Sequence, residues 1–288
     1  MLNRKSLFVV VAAIAMCACN KAQDIDVYVP DAGEIQLSML HPGQLSRLSD
    51  TGFDNTDQIG VYVTTSDAAL QLAGNEVNNE IFVYNGTSWT SKRKVYWNTG
   101  LHNVYAYYPY SSEVNDVVDY SFKVQTDQST EQNYAASDFL WATAQGVEAS
   151  QNPVQMQFEH KMSKVVVKLL KGDLFEGDIP QDAQVYILST VPQAVVDLST
   201  GDVTKDDFAS METIQCKKVA DGEYAAIVVP QNLTSRRPLV EVIVGNISYL
   251  MDGKISLRPG YMHTLNITLN KNPEQIKIEI GGGTSGWE

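Results

Sequence analysis

The chain has 288 residues, 44% of them hydrophobic and 19% charged, with 21 Lys and Arg against 34 Asp and Glu and a formal net charge of −13. That length suffices for one or two domains with ordinary cores. The acidic balance argues against nucleic-acid binding, because phosphate contacts need Lys and Arg, and it favours a surface that resists non-specific association.

The N-terminus reads as an export signal. Arg4 and Lys5 precede the apolar run "LFVVVAAIAM" from Leu7 to Met16, which is too short to span a bilayer as a helix. The run ends in "MCACN", where Ala18 precedes Cys19 and polar Asn20 follows. This resembles a bacterial lipobox, with Met16 where Leu is usual and Cys17 where Ala, Ser or Thr is usual. The resemblance implies a signal peptide over 1–18, acylation (palmitate) of Cys19 and anchoring in the outer membrane; the alternative is an ordinary secreted protein cut nearby. Buried acyl chains contribute roughly 0.8 kcal/mol per CH₂. Cleavage before Cys19 removes two basic residues and none acidic, taking the net charge from −13 to −15. Cys216 is then the only cysteine besides the acylated one, so stability must come from packing instead of an internal disulfide. Residues 19–32 are acidic and poor in core residues, and read as a tether.

Beyond the tether, a period of two dominates. In "EIQLSMLHPGQLSRLSDTGFD" (Glu34 to Asp54), Ile35, Leu37 and Met39 share one strand face, and Pro42 and Gly43 form a turn. Arg47 is the only Lys or Arg between Lys21 and Lys92. "DQIGVYVTT" alternates at Ile59, Val61 and Val63. "SDAALQLAGNEVNNE" (Ser66 to Glu80) has room for one or two helical turns capped by Ser66 or Asp67. "EIFVYNGTSWTS" reads as a hairpin around Asn85-Gly86. "KRKVYWNTGLHNVYAYYPY" predicts a strand with Val95 and Trp97, a turn, and a strand with Val104, Ala106 and Tyr108. Ser111 to Asn133 reads as loops, and "DFLWATA" (Asp138 to Ala144) as a short strand.

A second set of strands begins near Asn152. "PVQMQFEHKMSKVVVKLL" alternates at Val154, Met156 and Phe158, then at Val165, Val167 and Leu169. "QVYILSTVPQAVVDLSTGDV", "EYAAIVVPQNLT" and "LVEVIVGNISYLMDGKISLRPGYMHTLNITLN" supply the rest. The last candidate, "EQIKIEI", alternates Ile276, Ile278 and Ile280 before "GGGTSGWE", whose glycines read as a hinge. Short strands with frequent turns predict an all-β chain of antiparallel sandwiches. A seam near Val147 to Pro153 suggests two, over 33–150 and 151–288.

Catalytic signals are sparse, and the reading is of a non-enzyme without a cofactor or metal. The 4 histidines are scattered, and no HExxH, CxxC, GxSxG or P-loop occurs. Cys216 in "TIQCKKV" reads as buried and inert. Glu159 and His160 are adjacent, so on a strand they face opposite sides and make no acid–base pair; His160 reads as structural. Trp89, Trp97, Tyr105, Tyr107, Tyr108 and Tyr110 offer either cross-strand packing or a sugar-stacking platform, with packing preferred.

Several fragments, in order, resemble the fimbrillin family, the type V pilins and related lipoproteins of Gram-negative anaerobes. They are "FDNTDQIGVY", "YAYYPY", "DFLWA", "VQMQFEHKMSKVVVKL", "VVPQNL" and "RPGYMHTLNITLN", with His263 where Tyr is usual, and a tail ending near Trp287. The resemblance implies two transthyretin-like β-sandwich domains in tandem. It implies a lipid-anchored precursor whose first strand is released when an arginine-specific protease cuts the following loop. The vacated groove then takes a strand from another fimbrial subunit, and a homo- or hetero-polymer grows. Arg47 matches the family's arginine and nominates Arg47–Leu48 as the cleaved bond. Ile35, Leu37 and Met39 would leave the groove; Ile276, Ile278 and Ile280 are candidates for an exchanged strand. The alternative is a monomeric surface lipoprotein that binds glycan or a host ligand.

Overall fold

The computed structural model describes residues 33–42, 52–234, 237–270, 277–279 and 284–287. Cys19, Arg47, Leu48, Ile276 and Ile280 lie outside the described residues.

The first part of the chain forms β1 (Leu37–Leu40), β2 (Gln58–Thr65), β3 (Val77–Tyr84), β4 (Trp89–Ser91), β5 (Leu101–Tyr108), β6 (Tyr120–Lys123), the helix α1 (Glu131–Ala135), β7 (Leu140–Glu148), β8 (Val154–Gln157) and β9 (Glu159–His160). Six of these strands make an antiparallel sheet in the order β4-β3-β2-β5-β7-β9. Ile59, Val61 and Val63 enter one apolar cluster, as their alternation predicts, whereas Tyr62 enters another. The central strands β2 and β5 are thus buried on both faces, which masks a simple in–out pattern. Gly60 pairs with Tyr107 across the sheet, and a side chain at Gly60 would run into the Tyr107 ring.

The rest forms β10 (Ser163–Lys171), β11 (Gln184–Thr190), β12 (Gln193–Asp197), β13 (Asp202–Lys205), β14 (Glu212–Gln215), β15 (Lys217–Ala220), β16 (Glu223–Val228), β17 (Asn232–Leu233), β18 (Pro238–Val244), β19 (Ile247–Asp252), β20 (Ile255–Ser256), β21 (Tyr261–Leu269), β22 (Lys277–Glu279) and β23 (Thr284–Gly286). One sheet runs β15-β16-β10-β21, with β22 and β23 both on β21; another runs β14-β11-β18-β19. Val165, Val167 and Leu169 of β10 share a core with Val185 and Ile187 of β11 and with Val240 and Val242 of β18. β12 joins β13 to β6, so a strand from the predicted loop region pairs with one far downstream.

The all-β class holds, with these further departures from the sequence reading. Two ladders are parallel, β1 with β8 and β10 with β21, and each joins strands far apart in the chain, as parallel pairing requires. Residues 66–76 form turns in place of helix, because the side chains of Asn75 and Asn78 bond neighbouring groups and Val77 enters β3. The α-helix among the described residues is α1 instead, capped by Thr130, whose side chain accepts from the Asn133 amide. Finally, the segment around Val95 and Trp97 makes an isolated bridge between Tyr96 and Glu34 instead of a strand.

The expected division at residue 150 falls just before a stretch that returns to the first sheet. Val154, Met156 and Phe158 enter its core, and β9 pairs with β7. Among the described residues, no helix is long and apolar enough to cross a membrane.

Candidate functional site

The first strand occupies a built groove. Alternation from Ile35 to Met39 places Ile35, Leu37 and Met39 in the cluster of Ile59, Val61, Val63, Phe82, Val104, Leu140, Val154, Met156 and Phe158. Leu37 stands opposite Val154 and Met39 opposite Met156 in the parallel ladder. The amides of Val154 and Phe158 donate to the carbonyls of Gln36 and Leu40 at 2.9 and 3.0 Å. On the other edge, Ile35 donates to Val95 at 2.9 Å, and Trp97 donates to the Gly33 carbonyl at 3.0 Å. The segment therefore has main-chain partners on both sides. Glu34 is buried, and its carboxylate lies 3.8 Å from the Lys94 ammonium.

Asn152 supplements this ladder. Its side-chain oxygen accepts from the Gln36 amide at 2.8 Å, and its nitrogen donates to the Glu34 carbonyl at 2.6 Å. Burying an aliphatic or Met side chain stabilises by roughly 1.5–3 kcal/mol, so three such side chains contribute an upper bound of about 5–9 kcal/mol. That approaches the whole stability of an ordinary domain, about 5–15 kcal/mol. An emptied groove would need refilling.

The strand ends against rings. His41 and Pro42 are buried. The His41 ring meets Phe53 edge-on at 4.9 Å and His160 at 5.8 Å. Phe53, where the chain returns, also packs on Trp89, Tyr108 and Phe158. His41 and Phe53, each one residue from a described end of the connection, thus pack against each other. His160 bonds Asp138 through Nδ1 at 3.0 Å and lies beneath Trp287, with ring centroids 3.8 Å apart and planes 5° from parallel. Its neighbour Glu159 is exposed, so the adjacent pair faces opposite sides, as strand geometry predicts.

The remaining titratable groups are dispersed. Burial pushes the Cys216 thiol well above its ordinary range, the opposite of what a nucleophile requires. Burial, then the charge of Arg258, holds His263 below the usual imidazole range, while its Nε2 accepts from the Arg258 amide at 3.1 Å. Buried His102 lies 2.7 Å from Glu76 through Nδ1. Burial raises the Asp57 carboxyl, although the Asp54 amide donates to it. Among the described residues, no group of three or more His, Cys, Asp or Glu is placed to hold a metal. Trp89, Tyr105 and Tyr107 are buried, and Trp97, Tyr108 and Tyr110 are half-buried, so the aromatic run serves mainly packing.

The predicted residues Ile35, Leu37 and Met39 come together in the groove, while Ile278 lies elsewhere, its backbone paired with Ile267 on β21. Sequence reasoning missed Asn152 and the joint ring contact of His41, Phe53, His160 and Trp287. No local pattern signals a contact spanning 118 positions, although Trp287 is an apolar residue in a polar stretch.

The chain is similar to several known proteins. A family model described as fimbrillin-like matches residues 46–287. A protein of Bacteroides ovatus named as the fimbrium tip subunit Fim1C is 35% identical over 143 residues, covering 43% of this chain and 26% of that protein. The match thus spans about a quarter of that relative's length. A crystal structure described as a cell adhesion protein of Bacteroides ovatus superposes with a TM-score of 0.71 at 21% identity, covering 91% of this chain and 99% of the other. Another from Bacteroides uniformis gives 0.68 at 19% identity, covering 90% and 100%. These two likenesses establish the fold; the family match, extending over most of the sequence, establishes that the chain belongs to the fimbrillin-like family.

Proposed function

We propose that the chain is a fimbrial subunit that contributes to adhesion, exported as a lipoprotein acylated at Cys19 and assembled by exchange of its first strand. The carrying observation is the seat of residues 34–40, an edge-bonded, apolar-faced strand held between residues 95–97 and β8 without being continuous with the main sheet. In this reading an arginine-specific protease cuts Arg47–Leu48, the segment ahead of the cut departs, and a strand from another fimbrial subunit replaces it by β-augmentation. Such heterologous contacts do not close, so a filament grows on the cell surface. The role is structural and not catalytic, as family membership supports. The reading keeps two sandwich domains, with the first completed by β8 and β9 and its seam near Lys161. The glycan-binding alternative has less support, because the aromatic run is largely committed to packing.

The test is the N-terminus of the protein recovered from intact cells, with assembly followed on denaturing gels. Acylated Cys19 is expected in the precursor and Leu48 in the polymer. Arg47→Ala should abolish the detergent-resistant ladder, and an unchanged ladder would remove the cleavage step.

A further inference from the structure

Resting on the strand-exchange reading, we infer that the groove has a fourth subsite, now filled by the His41 ring, that selects which foreign strand it accepts. The favoured strand comes from another subunit and carries apolar residues at every second position three times, then an aromatic or imidazole ring at the next such position.

His41 is only 8% exposed and continues the period of two that places Ile35, Leu37 and Met39 in the groove. Its walls are Phe53 at 4.9 Å and His160 at 5.8 Å, both met edge-on. Asp138 fixes His160 on one side, and Trp287 covers its face. Every wall comes from downstream of Arg47, so cleavage removes the occupant and leaves the pocket. Two cavities adjoin it, about 280 Å³ with His41 and Phe53 in its lining and about 650 Å³ with Pro42 and His160; both have Trp287 as a wall. The departing segment thus supplies one lining residue to each. A ring in the vacated place regains edge contacts, while a small residue leaves apolar surfaces without partner atoms.

The chain's own tail matches only part of this pattern. Ile276, Ile278 and Ile280 reproduce the first three positions, but Gly282 falls at the fourth. Moving the tail by two residues puts Gly282 third and Thr284 fourth. Neither register offers a ring. The tail of a second copy is therefore a poor replacement for the departing strand, and the chain favours a partner of different sequence.

The experiment uses the full chain nicked at Arg47 with an arginine-specific protease, the released segment labelled, and its displacement by excess peptide measured. The peptide of residues 34–42 should displace it. Its His41→Phe form should match within about threefold, and its His41→Ala form should need about tenfold more. The tail peptide of residues 275–283 should be weak, and its Gly282→His form should improve about tenfold. Equal displacement by the native and His41→Ala peptides, or no gain from Gly282→His, overturns the ring subsite while leaving strand exchange intact. If the native peptide displaces nothing, strand exchange falls and the subsite with it.

Discussion

The side-chain amide of Asn152 donates to the carbonyl of Glu34 at 2.6 Å, tying the lead-in to the first strand to a residue two positions ahead of β8. The same side chain accepts from Gln36 at 2.8 Å, so one amide imitates one rung of a ladder. Asn152→Ala leaves two partly buried backbone groups without this partner, at roughly 1–3 kcal/mol each. The expected result is a stability loss of about 2–6 kcal/mol in chemical denaturation, with faster hydrogen exchange at the Gln36 amide. Asn152→Asp should lose at least as much, since a carboxylate cannot donate to Glu34.

Alternation along the first strand makes a position-specific prediction. Leu37→Ala removes a buried side chain opposite Val154 and should cost about 2–5 kcal/mol. Ser38→Ala, at a half-buried position on the other face, should stay within about 0.5 kcal/mol. Urea midpoints of the two variants measure the difference, and similar losses would contradict the facing assigned to the strand.

His263 gives stability a direction with pH. Its folded pKa lies below the ordinary 6.5, from burial first and the Arg258 charge second. The unfolded chain therefore takes up this proton more readily. The contribution is complete above about pH 6.5 and is lost as pH falls toward and through the lower folded value. His263→Gln retains an acceptor for the Arg258 amide without a titrating ring, and should flatten the decline below pH 6.5 in thermal melts. An identical slope in both proteins would assign the decline to other groups.

Cys216 should behave as a clock for unfolding. It is buried on all sides, and burial disfavours the thiolate. Thiol-directed reagents at neutral pH should label it only through opened molecules, with labelling that rises with urea in step with global unfolding. Rapid labelling in native buffer would contradict the closed packing around β14 and β15.

The sequence disclosed those parts of the fold whose physical signal is local. The alternations at Val154, Met156 and Phe158 and at Val165, Val167 and Leu169 are direct images of strands with one committed face, and all six side chains are buried. The hairpin at Asn85-Gly86 was legible because Gly86 adopts a φ of +92°, which glycine tolerates without strain. By contrast, β6 takes its place from β12 through pairs such as Phe122 with Ala194, and nothing near Phe122 announces that partner. The single helical turn at α1 is too short for periodicity to register, resting on the Thr130 cap and buried Tyr134. Residues 66–76 misled because apolar spacing outweighed the asparagines, whose side chains compete for the backbone. For the candidate site, Ile35, Leu37 and Met39 were legible from alternation, whereas the bracing by Asn152 and the ring contacts at His160 depend on distant chain segments.

The parallel pairing of β1 with β8 gives the proposed assembly a direction. Parallel and antiparallel ladders space their hydrogen bonds differently, so a strand that inherits the bonds of Gln36 and Leu40 in register must run the same way along β8. Its remaining chain then enters and leaves the groove at fixed ends. In a fibre built by the proposed exchange, that constraint would orient every member alike and leave two unlike ends, one still offering a strand and the other still awaiting one.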